Sequence, residues 1–215
     1  MKKENFIHFL QPLNMVMGWQ VIENRLLEDE EENKKAEGTL LILEKKQTGR
    51  KIQVIREDNY FQFDFTIPEE KQILKSLQLH TLQEVISQIE RAMWNLDNRT
   101  DRKEPYDFVP LRVASGWKIE YNTCINIDPD KLPEEDSQWL NFTEDLLLLA
   151  YDKGRILIDV GWKREADPSG RFQLIFVIDE QWEEPEKLAY IRRPEELTST
   201  IEAIMQDVQD GKYDN

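Results

Sequence analysis

The chain contains an internal repeat, which constrains its fold more than any single segment does. Near the start, a Pro-Leu pair is followed by a Gly-Trp pair and an asparagine, and the same residues recur 98 positions later. The matched residues are Pro12, Leu13, Gly18, Trp19 and Asn24 in the first copy and Pro110, Leu111, Gly116, Trp117 and Asn122 in the second. Three further matches follow in the same order, namely Gly49-Arg50 with Gly154-Arg155, Phe61-Gln62 with Phe172-Gln173, and Ile89-Glu90 with Ile201-Glu202. We therefore predict a tandem duplication of a unit of about 100 residues, the size of a small domain.

The distance between matched segments grows along the chain, from 98 residues to 105, 111 and 112. The additional residues of the second copy fall near 128–137 and 165–170, which are rich in Pro, Asp, Gly and charge and are typical of loops. The predicted organisation is a first domain at 1–98, a polar linker at 99–107 and a second, more acidic domain at 108–215.

Hydrophobic periodicity predicts the same strands in each copy. Alternating apolar and polar residues follow each Gly-Trp pair, and three strand-like segments come after it. These segments are 39–44, 51–56 and 60–67 in the first copy and 145–151, 155–162 and 171–178 in the second. We expect an α+β fold in which each unit is a mainly antiparallel four-stranded sheet with a C-terminal helix packed on one face. The two sheets could stack face to face or join edge to edge, and the sequence leaves both arrangements open.

A helix is predicted at the end of each copy. Thr81 and Glu84 have the spacing of a capping box, and an apolar stripe follows them. The second helix is predicted to begin at Pro194, a residue suited to the first helical turn. Before the first helix, residues 68–77 could form an extra short helix, and the corresponding residues 180–188 are expected to be more irregular.

Net charge limits the classes of partner. The chain has a formal charge of −15, and residues 101–215 hold most of it, with 26 acidic against 14 basic residues. Nucleic acid binding depends on Lys and Arg that neutralise phosphates, so a nucleic acid is an unfavourable partner. A basic protein, in contrast, would be attracted to the second copy.

Cellular location is predicted from what the sequence lacks. No apolar run approaches the length of a membrane span, and no secretory signal is evident. A single cysteine, Cys124, excludes an intrachain disulfide and agrees with a reducing compartment. We expect a soluble, cytoplasmic protein without membrane contact.

A search for catalytic residues finds little. The two histidines, His8 and His80, lack metal-ligand spacing, and neither a phosphate-binding glycine loop nor a serine nucleophile motif is present. We predict no catalytic residues, no metal and no cofactor. Asp64 and Asp159 lie inside apolar strand patterns and would be candidate site residues if they were buried together in one cleft. Residues on the polar side of a strand more often point to solvent.

Features shared by both copies are interpreted as structural. Trp19 and Trp117 are expected to anchor the core, and Asn24 and Asn122 to form turn or edge hydrogen bonds. Function is sought in the features specific to the second copy, two acidic segments that each contain a tryptophan. The predicted partner-binding residues are Asp128, Asp130, Glu134, Glu135, Trp139, Glu180, Trp182, Glu183 and Glu184.

These features favour a non-enzymatic protein-binding module with a basic partner. An inhibitor or immunity-type protein is one class that agrees with its size and charge. Two alternatives stay open. One is an enzyme or small-ligand binder with a site in the groove between the copies. The other is a structural subunit that self-associates through a sheet edge; the oligomeric state is not predicted.

Overall fold

A computed structural model describes residues 6–67, 72–95 and 107–214. The described residues form one antiparallel sheet of ten strands and three α-helices. The strands are β1 Gln20–Asn24, β2 Gly38–Lys45, β3 Arg50–Arg56, β4 Phe61–Ile67, β5 Gln72–Leu79, β6 Lys118–Asn122, β7 Leu147–Tyr151, β8 Ile156–Lys163, β9 Arg171–Ile178 and β10 Lys187–Ile191. The helices are α1 Glu30–Lys35, α2 Leu82–Asn95 and α3 Pro194–Gln209.

The strand order divides the sheet into two halves. The order is β10-β9-β8-β7-β6-β1-β2-β3-β4-β5. The first half therefore contains β1–β5 and α2, the second half contains β6–β10 and α3, and β1 pairs with β6 at the centre. The fold is α+β with a large antiparallel sheet and a C-terminal helix. Of the two arrangements that the sequence left open, the halves adopt the edge-to-edge one.

Each half has five strands, so the expectation of four was wrong. Where a short helix was expected at 68–77, the described residues form β5, which pairs with the edge of β4. Leu77 lies opposite Phe63 and Leu79 opposite Phe61. This pairing satisfies backbone groups along β4, and such tertiary contacts override a weak local preference. In the second half, β10 pairs with β9 in the same way.

The capping box at the start of α2 is confirmed. The Thr81 Oγ1 atom accepts a hydrogen bond from the Glu84 backbone N–H at 3.2 Å, and the Glu84 carboxylate accepts one from the Thr81 N–H at 3.1 Å. Hydrogen bonds from the His80 and Thr81 amides lower the pKa of Glu84 below its ordinary value. The helix therefore begins where the local sequence predicts it.

Both long helices lie on the same face of the sheet and share one hydrophobic core. In α2, Val85, Ile89 and Met93 are buried, as are the phenylalanines of β4 that point toward the helix. In α3, which begins at Pro194 as predicted, the buried apolar residues are Leu197, Ile201, Ile204, Met205 and Val208. These side chains belong to a single continuous cluster that includes residues of both halves. The opposite face of the sheet is called the open face below.

Reciprocal backbone hydrogen bonds join the halves. The Val21 N–H donates to the Trp117 carbonyl at 2.8 Å, and the Ile119 N–H donates to the Trp19 carbonyl at 2.9 Å. Both indole side chains are fully buried, as their interpretation as core anchors requires. Gly116 precedes Trp117 with a φ of +91°, and a Cβ atom there would lie 2.5 Å from the Tyr151 ring. Glycine is needed at that position because its backbone is left-handed and the ring is close.

Two buried asparagines also connect the halves. The Asn24 side chain donates to the Val113 carbonyl at 2.9 Å, and the Asn122 side chain donates to the Met15 carbonyl at 2.8 Å. Each side-chain oxygen accepts a hydrogen bond from a backbone amide two residues further on. The prediction of structural hydrogen bonds at both positions is confirmed. The predicted linker at 99–107 lies outside the described residues, except for Asp107.

Candidate functional site

The first acidic segment, residues 128–139, is held to the protein by ion pairs. Asp128 pairs with Lys131 at 2.8 Å, and Asp130 pairs with Arg192 at 2.9 Å. Arg192 also donates hydrogen bonds to the carbonyls of Pro129, Pro168 and Gly170. Its guanidinium therefore fastens the segment to the turn between β8 and β9. Glu134 and Glu135 are exposed on the same segment.

Trp139 is a core residue rather than a surface anchor. Its side chain is 4% exposed, its Nε1 atom donates to the Pro133 carbonyl at 2.7 Å, and its ring lies against Phe142 and Trp162. The acidic neighbours in the sequence suggested an exposed tryptophan, but the aromatic cluster buries it. Trp139 is therefore not accessible to a partner.

The second acidic segment, residues 179–186, is exposed. Trp182 is 46% exposed, and Glu180, Glu183 and Glu184 are also exposed. This segment follows the end of β9, whereas Arg192 ties residues 129–130 to Gly170 at the start of that strand. An extended strand of eight residues spans about 23 Å. The two acidic segments therefore lie at opposite ends of β9 and do not form one patch.

A row of mainly apolar side chains crosses the open face of the second half. Directly paired residues of an antiparallel sheet point to the same face. The paired residues are Tyr121, Leu148, Asp159, Ile175 and Leu188, one from each of β6 to β10. Leu188 is 50% exposed, and Tyr190, two residues further along β10, is 51% exposed. We name this set, together with Tyr190, the apolar row.

The corresponding row of the first half is polar. It consists of Glu23, Ile42, Gln53, Asp64 and Ser76, one from each of β1 to β5. Ser76 and Gln62 both donate hydrogen bonds of 2.8 Å to the Asp64 carboxylate. The open face therefore has two chemically different parts on the same scaffold.

Asp159 is the charged member of the apolar row. Burial raises the pKa of the Asp159 carboxyl above its ordinary value, and the negative charge of Asp145 raises it further. Tyr121, Asp145, Leu148 and Asp159 line a cavity of about 230 Å³. Asp64 and Asp159 do not share a cleft, because their strands are six positions apart in the sheet, about 29 Å at the usual strand spacing.

The sequence contains a pattern that agrees with the apolar row. Residues 146–150 and 156–158 are uninterrupted apolar runs, as are residues 40–43 of β2, whereas β4 alternates. Uninterrupted runs are typical of strands that are covered on both faces. Strands β7 and β8 contain such runs, yet α3 lies on one face of the sheet only. Apolar side chains of these strands therefore remain on the open face.

A larger cavity lies at the junction of the halves. Its volume is about 650 Å³, within the range of small-molecule sites. The lining residues are mainly apolar and include Val16, Met17, Trp94, Phe108, Ile125 and Leu140. Leu140 is 73% exposed and Met17 is 47% exposed.

A metal site and a reactive cysteine each have structural requirements, and the described part of the chain bears on both. No group of three or more His, Cys, Asp or Glu side chains there is arranged to hold a metal ion. Burial raises the pKa of the Cys124 thiol to about 12, which disfavours the thiolate form at neutral pH. His8 contacts the buried Glu202 carboxylate at 3.1 Å. Among the described helices, none is long and apolar enough to cross a membrane.

Comparisons of the chain with protein-family models, curated proteins and solved structures give no match.

Proposed function

We propose that this chain is a non-enzymatic protein-binding module and that a basic protein docks on the open face of its second half. The apolar row supports this proposal, because large exposed apolar side chains on a sheet face are typical of protein interfaces. Trp182 is half exposed in the segment that leads into β10, the strand of Leu188 and Tyr190. We propose it as an aromatic anchor, the residue type that often dominates binding energy.

Charge favours a basic partner over a second copy of the chain. Asp159 lies within the row, Asp145 lies beside it, and Glu180, Glu183 and Glu184 lie at its end. Two such faces would bring like charges together, which costs several kcal/mol at an interface. A basic partner would instead neutralise them. An inhibitor or immunity-type protein acting on a cationic enzyme is one example of such a module.

We propose a supporting role for the first acidic segment. Asp128, Asp130 and Trp139 are engaged within the protein, so they support the second half instead of contacting the partner. Glu134 and Glu135 are exposed but lie on the first acidic segment, at the opposite end of β9 from Trp182. The predicted residues kept as the partner-binding set are Glu180, Trp182, Glu183 and Glu184.

The test uses the whole protein as bait and a double variant, Leu188→Ser with Tyr190→Ser. Both side chains are half exposed, so their loss should leave folding intact. Phe9→Ser is the matched control, because Phe9 is 62% exposed but lies outside the sheet. A basic protein captured from native lysate is purified, and its affinity for each form is measured by calorimetry. We expect at least about tenfold weaker binding for the double variant and no change for the control.

Three results would contradict the proposal. They are equal affinity for the double variant, an acidic protein as the partner, and a dimer of the chain that dissociates when Leu188 and Tyr190 are replaced. Sedimentation of the purified chain detects the last of these.

We also infer that the two halves descend from one duplicated unit with domains at 1–98 and 108–215. The repeated order of five strands and a helix supports this inference, as do the reciprocal hydrogen bonds of Trp19 with Ile119 and of Trp117 with Val21. Reconstructing the unit as a symmetric dimer of one half is a direct test. If one half alone were a well-folded monomer, this would argue against pairing of two such units through β1 and β6.

Small-ligand binding in the larger cavity is a second candidate function, favoured by its volume and apolar lining. The probe is anilinonaphthalene sulfonate, a fluorescent apolar dye. Its enhanced fluorescence should be lost when Met17→Glu and Leu140→Glu are combined at the cavity and kept in Leu188→Glu. If fluorescence were instead lost in Leu188→Glu and kept in the Met17 and Leu140 double variant, the dye would bind the open face and the cavity would be rejected as its site.

A further inference from the structure

The small cavity is a depression in the open face, lined by residues of three neighbouring strands. Tyr121, Leu148 and Asp159 are directly paired on β6, β7 and β8, and Asp145 lies just before β7. The volume of about 230 Å³ is below that of cavities for drug-sized ligands, about 300–1,000 Å³, and suits a single side chain.

Within the described parts of the chain, the two carboxylates of this cavity have no cationic partner. Among the described residues, no Lys or Arg forms an ion pair with Asp145 or Asp159. Lys118 lies three residues before Tyr121 on β6, and its Nζ atom forms an ion pair with the Glu120 carboxylate at 2.6 Å. Asp159 is half-buried, whereas Asp145 beside it is exposed. A carboxylate such as that of Asp159, partly removed from water without a counter-charge, is unfavourable for the protein alone. A bound cation would remove this cost.

We propose that this cavity receives the arginine or lysine side chain of the basic partner. The inference rests on the proposed function and identifies its central contact. The two carboxylates would neutralise the cation, the Tyr121 ring would lie against it, and Leu148 would contact the aliphatic stem.

The matching carboxylate of the first half, Asp64, has different surroundings. Asp64 occupies the row of β4, but its carboxylate already accepts hydrogen bonds from Gln62 and Ser76. A carboxylate satisfied by neutral donors within the sheet has less need of a cation. Asp64 is therefore a matched control on the same face.

The first test needs no partner. N-acetyl-arginine methylamide is added to the whole isotope-labelled protein, and the carboxyl carbon signals are followed by NMR across a pH titration. We expect the probe to shift the Asp159 and Asp145 signals and to lower the pKa of Asp159, while the Asp64 signal stays unchanged. A propionamide probe without the guanidinium should have no effect.

Variants give the second readout. Asp159→Asn and Asp145→Asn should each weaken probe binding at least about tenfold, and Asp64→Asn should leave it unchanged. Equal binding to all three variants, or a response at Asp64 as large as at Asp159, would overturn the proposal. A response to Mg²⁺ but not to the arginine probe would identify a metal site instead.

The partner complex separates the two proposals. If Asp159→Asn keeps full affinity while the Leu188 and Tyr190 double variant loses it, the face is the docking site and the cation contact is wrong. If the probe binds as expected but no basic protein docks on the face, the cavity is correct and the proposed function is wrong.

Discussion

Asp159 is a position at which stability and the proposed function oppose each other. Its carboxyl is half-buried among apolar neighbours, and the nearby Asp145 carries the same charge. Residues that reduce stability without a compensating contact in the protein are concentrated at functional sites. The half-buried position of Asp159 therefore points to a functional site more strongly than its residue type does.

We predict that Asp159→Asn stabilises the protein at pH 7 and that this gain disappears in acid. A carboxyl with a raised pKa binds its proton more tightly in the folded state. Its stability contribution is fully present below the unfolded pKa, near 3.8, and is lost as pH rises through the folded pKa. The asparagine variant avoids that loss. The gain should be below about 1 kcal/mol, because solvent screens a half-buried group.

Urea unfolding of both forms at pH 7 and pH 3 measures this difference. Asp64→Asn is the control, and it should lose stability at pH 7 because the carboxylate accepts two hydrogen bonds. The stability difference between Asp159→Asn and wild type should be more favourable at pH 7 than at pH 3. The opposite order would contradict the prediction.

Sequence context alone could not distinguish Trp139 from Trp182. Both tryptophans lie among carboxylates, yet one is 4% and the other 46% exposed. Burial of Trp139 depends on Trp162 and on Arg192, whose guanidinium lies over both rings. These contacts join residues distant in the chain, so no local pattern encodes them.

Among the secondary-structure elements, α2 was predictable because its signals are local. The capping box and the apolar stripe lie within the helix itself. Strands β5 and β10 were missed because they exist by pairing with β4 and β9. The apolar row required the register of five strands, which single-sequence patterns do not determine.

The connection between halves gives a prediction for Asn122→Ala. This variant loses the hydrogen bonds with the Met15 carbonyl and the Cys124 amide and leaves both groups buried without partners. We expect a loss of about 2–4 kcal/mol in the free energy of unfolding. Asn141→Ala is the control, because its side-chain hydrogen bond to the Gln138 carbonyl is exposed, and it should cost under about 1 kcal/mol.

Chemical denaturation of both variants, followed by far-UV circular dichroism, provides the measurement. Similar losses for Asn122→Ala and Asn141→Ala would mean that the hydrogen bonds across the centre of the sheet contribute little.

The whole molecule is expected to unfold in one step. One continuous hydrophobic cluster includes residues of both halves, and backbone hydrogen bonds join β1 to β6. Separation of the halves would expose Trp19 and Trp117, which are fully buried. Neither half should therefore persist when the other is lost.

Calorimetry tests this expectation. The calorimetric and van't Hoff enthalpies should agree, and fluorescence and circular dichroism should give the same midpoint in urea. Two resolved transitions would show that the halves are independent domains. In that case Asn122→Ala would shift one transition only.

The dimensions of the open face limit how a partner can cover it. Five strands of the second half span about 19 Å across and about 23 Å along the longest strands, a projected area near 440 Å². A protein partner of ordinary size buries about 800 Å² on each side. Its footprint therefore extends beyond the apolar row, either around Trp182 or across β1 onto the first half. In the second case the polar row of Glu23, Gln53 and Asp64 would form the hydrated rim of the interface.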